Sequence, residues 1–243
     1  MGARRRAARR ELEKHLRQVR PDLSDPVAAI VSGQVLVDGR IVTNPRSLVR
    51  IDAAIVIRPA APLRGEAKLR AALASFDARI AGRVALDLGA AAGGFTRVLL
   101  GAGAQRVYAV DAGHGQLLGS LRQDPRVVNL EATNLAMLDR TLVPDAVGVV
   151  TMDLSYVSVA AAIGQLGGIS LARDADLVAL VKPMFELRLP AAPDDQASLA
   201  RALHHAIGGV EGAGWRVRAH ARSPVRGSRG AAELLLHARR ERP

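Results

Sequence analysis

The spacing of hydrophobic positions changes near residue 83. From there, short apolar runs recur, each ending in or followed by a polar residue or glycine. The runs are R-V-A-L-D-L (83–88), R-V-Y-A-V-D (106–111), R-V-V-N-L (126–130), A-V-G-V-V-T-M-D (146–153), D-L-V-A-L-V-K (176–182), W-R-V-R-A-H-A (215–221) and A-E-L-L-L-H-A-R (232–239). Helical stretches separate most of them, which predicts an α/β fold with a mostly parallel sheet. The last two, joined by a glycine-rich loop, are expected to form an antiparallel hairpin.

The beginning of the chain has a different, helical pattern. Leu12 and Leu16 are four residues apart, which predicts one apolar face on a basic helix within residues 1–20. A second short helix is expected from Ser24, as its N-cap, to about Val31. Two helices therefore open the chain.

A hairpin should follow these helices. The segment V-L-V-D-G-R-I-V (35–42) reads as two short strands joined by Asp38-Gly39, a strong turn signal. A further strand is expected over 54–57, before a proline-rich stretch. The expected organisation is a small α+β domain at 1–58, a linker at 59–64 and a larger α/β domain at 65–243.

The charge of the chain favours a polyanionic partner. The net charge is +11, and arginine, whose planar fork suits phosphate, supplies most of it. The alternative is a codon bias that inflates Arg, Ala and Gly together. Aromatic residues make up only 2% of the chain, so charge rather than base stacking should dominate nucleic-acid binding.

Composition also limits the cellular setting. No apolar run is long enough to span a membrane, and no apolar segment follows the basic N-terminus as in a secretory signal. The chain has no cysteine, which removes disulfides and thiolate metal sites and suits a cytoplasmic protein. His204 and His205 lack the spacing of a metal site and are expected at the surface. We predict no metal.

The segment after the strand at 83–88 has the features of a cofactor loop. It continues into G-A-A-A-G-G-F-T and a helix, and the next strand ends in Asp111, suitably placed to bind ribose hydroxyls. Ala91 replaces the middle glycine of a dinucleotide motif, so S-adenosylmethionine fits better; the alternative is a structural turn. Asn134 is expected near the adenine or as a helix cap. The predicted cofactor residues are Asp87, Gly89, Gly93, Gly94, Phe95, Asp111 and Asn134.

Two later strands end in opposite charges. The strand at 146–153 ends in Asp153, and the strand at 176–182 ends in Lys182 just before a proline. The carboxyl ends of parallel strands line one crevice, so this acid and this base are expected to meet there. The alternative is a purely structural ion pair.

Several segments together resemble known families. Residues 33–45, G-Q-V-L-V-D-G-R-I-V-T-N-P, resemble the S4 RNA-binding domain. The segments D-L-G-A-A-A-G-G-F-T, V-D-A-G-H-G-Q-L, M-D-L-S-Y-V-S and L-V-K-P-M-F-E resemble the TlyA family of S4-linked, FtsJ-like ribosomal RNA 2′-O-methyltransferases. This resemblance implies a Rossmann-like methyltransferase domain, S-adenosylmethionine as cofactor, and ribosomal RNA or ribosomal subunits as partner, with a cytidine ribose as target.

The same resemblance implies a catalytic tetrad of Lys68, Asp153, Lys182 and Glu233. A ribose hydroxyl is a poor nucleophile, so a lysine can accept its proton or stabilise the developing alkoxide. Lys182 is expected in that role, oriented by Asp153, while Lys68 and Glu233 tune and hold the set. The alternatives are a surface helix residue for Lys68 and a shield for an edge strand for Glu233.

The RNA contacts are expected from arginines. The predicted residues are Arg4, Arg5, Arg9, Arg40, Arg46 and Arg64, and Arg222, Arg226 and Arg229 flank the loop before Glu233 as further candidates for phosphate contacts.

The chain departs from the family in three places. It has L-R-G-E-A-K-L where the family has S-R-G-G-x-K-L, Asp25 where arginine is usual, and a short L-R-L-P-A-A-P-D-D after Glu186. The alternative function is therefore a catalytically weak RNA- or ribosome-binding paralogue, such as an assembly factor. A membrane-active, haemolysin-like role lacks an apolar segment.

Overall fold

The structure is a computed structural model that describes residues 8–23, 25–58, 63–227 and 230–241. The chain divides into two compact units, one containing 1–62 with 118–123 and the other 63–117 with 124–243. The second unit begins close to helix α3 (Arg64–Ser75). Most of the expected linker at 59–64 lies outside the described residues.

The first unit is a small α+β fold built on short elements. Its core contains Leu12, Leu16, Ile30 and Val35, so the expected apolar helix face is confirmed. The elements are β1 (Arg9–Glu11), α1 (Leu12–Val19), α2 (Pro26–Val31), β2 (Val35–Val37), β3 (Arg40–Ile41), β4 (Leu48–Arg50) and β5 (Ile55–Ile57). The strands form a three-stranded antiparallel sheet in the order β3-β2-β5 and a separate β1-β4 pair.

The Asp38-Gly39 hairpin is confirmed. β2 and β3 pair antiparallel, and the two turn residues have φ angles of 47° and 78°. Two successive positive φ values give the turn twist that matches a two-residue hairpin. The Asp38 carboxylate also accepts a hydrogen bond from the Ala54 amide at 2.9 Å, which ties the turn to the entry of β5.

Two expectations for this unit are wrong. Residues 9–11 form strand β1 rather than part of a basic helix, because their backbone pairs with β4. Strand pairing of this kind depends on a distant segment and leaves no local periodicity. The N-cap of α2 is Asp25, not Ser24, and its carboxylate accepts a hydrogen bond from the Ala28 amide at 2.9 Å. Asp25 therefore stabilises a helix start.

The second unit is organised around one seven-stranded sheet in the order β11-β12-β10-β9-β6-β7-β8. Its strands are β6 (Val84–Leu88), β7 (Arg106–Val110), β8 (Val127–Leu130), β9 (Val147–Met152), β10 (Leu171–Val181), β11 (Trp215–Arg222) and β12 (Leu234–Arg240). All neighbouring pairs from β10 to β8 are parallel, while β12 is antiparallel to both β10 and β11. The predicted α/β class, parallel sheet and final hairpin are confirmed.

Helices cover this sheet in two groups. The helices are α3 (Arg64–Ser75), α4 (Gly94–Gly101), α6 (Val159–Ile163), α7 (Pro183–Glu186) and α8 (Gln196–Gly212), while the short α5 (Gly119–Arg122) groups with the first unit. α3 packs on α4, which packs on β6 and β7, whereas α6 packs on α8, which packs on β10, β11 and β12. β9, between the two regions, is buried along its whole length. Apolar burial on this scale supplies most of the stability of such a sheet.

The strand order places the functional edge of the sheet. The chain starts at β6 and moves outward to β7 and β8, then returns to β9 and β10 on the other side. This reversal between β6 and β9 is the topological switch point at which α/β sheets bind ligands. Because β12 runs antiparallel, its first residue lies at the same edge as the last residue of β10, with Val181 opposite Leu234.

A charged network stabilises β10 near its other end. The Asp176 carboxylate is fully buried and accepts hydrogen bonds from His237 at 2.9 Å and Arg239 at 2.8 Å. Burial alone would raise the pKa of Asp176, but these hydrogen bonds and the charge of Arg239 lower it to about 2. The ionised carboxylate therefore stabilises the folded state.

This network predicts a pH-dependent loss of stability. Asp176→Asn should lower the free energy of unfolding by about 3 kcal/mol at neutral pH, because it leaves buried donors without a counter-charge. A carboxyl whose folded pKa is lowered stabilises the protein above its unfolded pKa and loses that contribution as pH falls. The difference in free energy of unfolding between wild type and Asp176→Asn should thus decrease by about 2 kcal/mol as the pH falls from about 4 to about 2.

The measurement is denaturant unfolding of both proteins across that pH range. Asp174→Asn is the control, since Asp174 is an exposed partner of Arg79 and Arg83 and should cost less than about 1 kcal/mol. A gap of constant size from neutral pH to about pH 2 would contradict the assigned role of the Asp176 charge.

Candidate active site

A cavity of about 330 Å³ opens at the carboxyl ends of β6, β7 and β9. This is the switch point of the sheet, and the volume is in the range of small-molecule sites. Its walls combine apolar residues with a few polar groups. The lining residues are Gly89, Ala91, Val110, Asp111, Ala112, Gly113, Gln116, Thr133, Leu135, Asp153, Leu154, Ser155 and Tyr156.

Asp111 is the central polar group of this cavity. It follows β7, and its two carboxylate oxygens accept hydrogen bonds from the Ala91 amide at 2.8 Å and the Gly113 amide at 2.7 Å. Each oxygen keeps a further lone pair for a ligand hydroxyl. Burial and the nearby Asp111 charge raise the pKa of Tyr156 at the same cavity. A diol beside a flat ring, as in an adenosine, fits this arrangement of carboxylate, tyrosine and apolar wall.

Gly89 lets the turn after β6 pass close to β9. Its φ is 86°, and a Cβ there would stand 2.5 Å from the Asp153 carbonyl oxygen. A larger residue would push apart the two strand ends that border the cavity. Gly89 therefore keeps the cavity next to Asp153.

Four predicted cofactor residues lie behind the cavity rather than in its lining. Asp87 is fully buried and accepts hydrogen bonds from the hydroxyls of Thr96 at 2.7 Å and Thr151 at 2.9 Å. Burial raises the pKa of Asp87 to about 6, against the opposing effect of the two hydroxyls. Gly93 is the N-cap of α4, and Gly94 and Phe95 pack on Gly65 of α3. These residues are not part of the cavity lining, and they position the turn beside it.

Asn134 lies at a helix start, one of its two expected positions, and is not among the residues that line the cavity. Its side chain is exposed, and the cavity is lined at this point by its neighbours Thr133 and Leu135. Asn134 occupies the N-cap position of a 3₁₀ turn (Leu135–Met137), but its side chain makes no capping hydrogen bond.

The four predicted tetrad residues lie in one row of alternating charge. Lys68 Nζ is 2.6 Å from Glu233 Oε2 and 3.7 Å from Asp153 Oδ2, and Lys182 Nζ is 2.6 Å from Asp153 Oδ1. Lys68 and Glu233 are buried, while Lys182 and Asp153 retain 13% and 20% side-chain exposure. The row therefore runs from a buried end to an accessible end, at which Lys182 can meet a substrate.

The fold explains how distant residues reach this row. Lys182 follows β10 and Glu233 precedes β12, so their antiparallel pairing sets the two side by side. β12 is an internal strand, so the interpretation of Glu233 as an edge shield is wrong. Lys68 is buried on α3, so its interpretation as a surface residue is also wrong.

Ser155 is a site residue that the sequence analysis missed. Its hydroxyl accepts a hydrogen bond from Lys182 Nζ at 2.8 Å, and the residue is exposed. Ser155 lines the first cavity and also a second one beside it. Its place two residues after a strand-end acid was the available signal.

The second cavity, of about 460 Å³, lies on the far side of Lys182. Its charged lining residues are Lys182 and Glu233. The rest of its lining is mostly apolar and is partly formed by the short loop after Glu186. The lining residues are Ser155, Lys182, Pro183, Met184, Phe185, Pro190, Ala191, Ala192, Ala231, Ala232 and Glu233. The charge row thus borders two cavities that meet at Ser155.

Glu186 fixes the helix that follows Lys182. The buried carboxylate accepts a hydrogen bond from the Val159 amide at 2.5 Å and lies 2.8 Å from His205 Nδ1. Burial raises the pKa of Glu186, and the contacts with His205 and Val159 oppose this. His204 and His205 are exposed on α8, as expected, but His205 also contacts this buried acid. α7 is therefore anchored to both α6 and α8.

Glu66, one of the departures from the family pattern, has a structural role. Its carboxylate accepts hydrogen bonds from the Leu63 amide at 3.3 Å, at the start of α3, and from Arg97 of α4 at 2.7 Å. It therefore stabilises the first turn of the helix that carries Lys68.

The predicted RNA-binding arginines that the structure describes are all exposed. Arg9, Arg40 and Arg46 are exposed in the first unit, and Arg64 is exposed at the start of α3 in the second. Arg4 and Arg5 lie outside the described residues. Part of the basic charge nearby is neutralised locally, since Lys14, Arg17 and Arg20 pair with acidic neighbours.

Two features are absent from the described ranges. No group of three or more histidine, aspartate or glutamate side chains there is arranged to hold a metal ion. No helix in the same ranges is both long enough and apolar enough to cross a membrane.

Comparisons with known proteins agree with this geometry. The FtsJ-like methyltransferase family matches residues 62–240. TlyA of Mycobacterium tuberculosis, named a 16S/23S rRNA (cytidine-2′-O)-methyltransferase, is 45% identical over 166 residues, covering 65% of this chain and 60% of that protein. Hemolysin A of Brachyspira hyodysenteriae is 32% identical over 183 residues, covering 72% of this chain and 75% of that protein. The chain thus spans 60% of the length of its Mycobacterium relative.

Solved structures show the same fold. A candidate hemolysin from Streptococcus thermophilus superposes with a TM-score of 0.69 at 26% identity, covering 97% of this chain and 90% of the other. An S-adenosylmethionine dependent methyltransferase from Mesorhizobium loti shares the fold alone, with a TM-score of 0.52 at 16% identity over 72% of this chain and 98% of the other.

The packing around Glu233 predicts the effect of a small substitution. A Cβ on Gly227 would overlap Glu233 Oε1, so Gly227→Ala should displace the carboxylate from Lys68. We expect the free energy of unfolding to fall by about 1–3 kcal/mol, measured by chemical denaturation. Gly208→Ala, in open space on α8, is the control and should cause no loss. Equal stability of the two variants would show that Glu233 is not confined by Gly227.

Proposed function

Because the chain belongs to the FtsJ-like methyltransferase family, we propose that it transfers a methyl group from S-adenosylmethionine to a ribose 2′-hydroxyl of ribosomal RNA. The name of the relative TlyA supports cytidine in ribosomal RNA as the modified nucleoside. Ribosomal subunits are the proposed partner. A cytoplasmic location follows from such a substrate. The first cavity is assigned to the cofactor and the second to the target nucleotide.

One observation carries this proposal: the chain has three lysines among 34 basic residues, and two of them, Lys68 and Lys182, form the charge row. Everywhere else except exposed Lys14, the chain uses arginine. A guanidinium does not lose its proton in proteins, whereas an amine can exchange one. Lysine at these two sites therefore indicates proton chemistry rather than charge alone.

The residues of the first cavity fit the cofactor. Asp111 would accept hydrogen bonds from the ribose hydroxyls of the adenosine, and Leu135 and Tyr156 would contact its base. S-adenosylmethionine supplies a methyl group on a sulfonium sulfur that is already activated for transfer. The protein has only to align the acceptor and remove a proton.

Lys182 has the geometry for that task. As a neutral amine, its Nζ would donate its two N–H bonds to Asp153 and Ser155, which leaves the nitrogen lone pair for the proton of the substrate hydroxyl. In the proposed mechanism, Nζ takes the 2′-hydroxyl proton as the oxygen–methyl bond forms. Asp153 holds the resulting ammonium, and Lys68 is kept beside Asp153 by the buried Glu233. Proton transfer of this kind contributes roughly 10²–10⁴-fold to a rate.

The first unit is proposed to hold the RNA, as an S4-like domain. Its exposed Arg9, Arg40 and Arg46 supply phosphate contacts, together with Arg64 at the start of α3. Such contacts position a nucleic acid without reading its sequence.

The first test uses labelled S-adenosylmethionine and ribosomal particles, followed by alkaline digestion. A 2′-O-methyl group blocks cleavage at its own linkage, so label should appear in alkali-resistant dinucleotides. Lys182→Arg keeps the positive charge but cannot accept the proton, and we expect a loss of at least about 100-fold in the label. Cofactor binding, measured by calorimetry, should persist.

Lys14→Arg is the matched control, since Lys14 is exposed and pairs only with Glu11 among the described residues. It should leave labelling unchanged. Undiminished turnover by Lys182→Arg would exclude the proton-acceptor role. Absence of label with wild-type protein that still binds RNA would favour the RNA-binding paralogue instead.

The second test concerns the cofactor cavity. Asp111→Ala removes both the expected ribose acceptor and the hydrogen bonds to the Ala91 and Gly113 amides. We expect the dissociation constant for S-adenosylmethionine to rise by about 10- to 100-fold. Asp124→Ala is the control, because Asp124 pairs with Arg126 and does not line the cavity. Equal cofactor affinity of both variants would move the cofactor site away from β7.

A further inference from the structure

A cluster of ion pairs lies beside two segments that line the second cavity. The short loop contributes Pro190 to Ala192, and the segment before β12 contributes Ala231 to Glu233. Asp194, two residues beyond the first wall, lies 3.5 Å from Arg222 Nη2 and 3.5 Å from both Arg226 terminal nitrogens. A single carboxylate therefore faces two guanidinium groups beside the target cavity.

Another anion can displace Asp194 from these ion pairs at little cost. The side chains of Asp194, Arg222 and Arg226 are 60%, 54% and 57% exposed, and ion pairs in water at such exposure contribute little to stability. Arg226 is also oriented independently of Asp194, because it donates a hydrogen bond to the Gly230 carbonyl at 2.7 Å. Arg226 would thus keep its position when the carboxylate leaves.

Two converging guanidinium groups match a phosphate as well as a carboxylate. Both ligands present negatively charged oxygens that accept paired N–H donors. We propose that Arg222 and Arg226 form a phosphate-binding site for the RNA strand and that Asp194 occupies this site until RNA displaces it. This inference rests on the proposed function in taking RNA as the ligand.

The position of the pair agrees with the path of such a strand. A ribose with its 2′-hydroxyl at Lys182 would lie at the floor of the second cavity. Its 3′-phosphate is attached to the neighbouring carbon, so the strand must leave the cavity past its walls. Arg226 contacts Gly230, which precedes Ala231. Arg222 pairs in the sheet with Leu234, which follows Glu233.

A similar cluster elsewhere in the fold provides the comparison. Asp174 also pairs with two arginines, Arg79 at 3.0 Å and Arg83, and is 54% exposed. Asp174 is near the start of β10, whereas Lys182 follows its end. Arg79 and Arg83 also form ion pairs with the buried Asp176, and these pairs persist if Asp174 is neutralised.

The test measures the binding of a fluorescent single-stranded RNA from a ribosomal target region by anisotropy, at two salt concentrations. Asp194→Asn should tighten binding by about fivefold, because it removes a competing carboxylate. Asp174→Asn, with the same change in charge, should alter affinity by less than about twofold. Equal changes in RNA affinity for Asp194→Asn and Asp174→Asn would overturn the proposal, because such changes would depend only on the net charge of the protein.

A double variant tests the arginines directly. Arg222→Ala with Arg226→Ala should weaken binding and reduce the salt slope by roughly 1–2, one for each lost phosphate contact. Adding Asp194→Asn to this double variant should not increase its RNA affinity. The lysine pair, Arg222→Lys with Arg226→Lys, preserves charge and should retain most of the slope, and thermal unfolding verifies that all variants are folded. An unchanged slope in the alanine variant would overturn the site.

These outcomes are independent of methyl transfer. Wild-type protein that binds RNA without labelling it would refute the proposed function while leaving the phosphate site testable by the same binding curves. Labelling by wild type together with identical affinities of Asp194→Asn and wild type would refute the phosphate site alone.

Discussion

The row of alternating charges at one edge of the sheet is the constraint on which the rest of the structure depends. Lys68 and Glu233 are buried, and a buried charge without its partner would cost several kcal/mol. Each therefore requires the other, although one is on α3 and the other before β12. The insertion of β12 between β10 and β11 brings Glu233 to the end of β10. The row thus couples the last strand of the chain to the first helix of the larger unit.

The two cavities beside this row differ in how their borders are fixed. The first is bounded by strand ends and by a turn that the buried Asp87 ties to Thr96 and Thr151. Its position is fixed by the sheet core. The second is bounded by segments outside the sheet, beside the exposed ion pairs of Asp194. A first cavity fixed by the sheet core and a second cavity with more adaptable walls would suit the proposed binding of a small constant cofactor and a large polymeric substrate.

Local signals predicted the elements whose conformation depends on neighbouring residues. The Asp38-Gly39 turn, the strands that end in Asp111, Asp153 and Lys182, and the final hairpin all agree with the structure. The prediction of a helix for residues 9–11 was wrong because β1 is formed by its hydrogen bonds to the distant strand β4. Ser155 was missed for a related reason: only the fold reveals that its hydroxyl contacts Lys182 and borders both cavities.

The sequence by itself determined the α/β class, the strand-end residues and the contrast between abundant arginine and three lysines, since periodicity and composition are properties of the chain alone. The tertiary structure decided which of these residues meet. It buried Lys68, made β12 an internal strand, and placed Asp87 and Phe95 behind the cavity instead of in it. Contacts between residues far apart in sequence arise from the packing of whole elements, and the energy of a buried charge depends on partners that only this packing supplies.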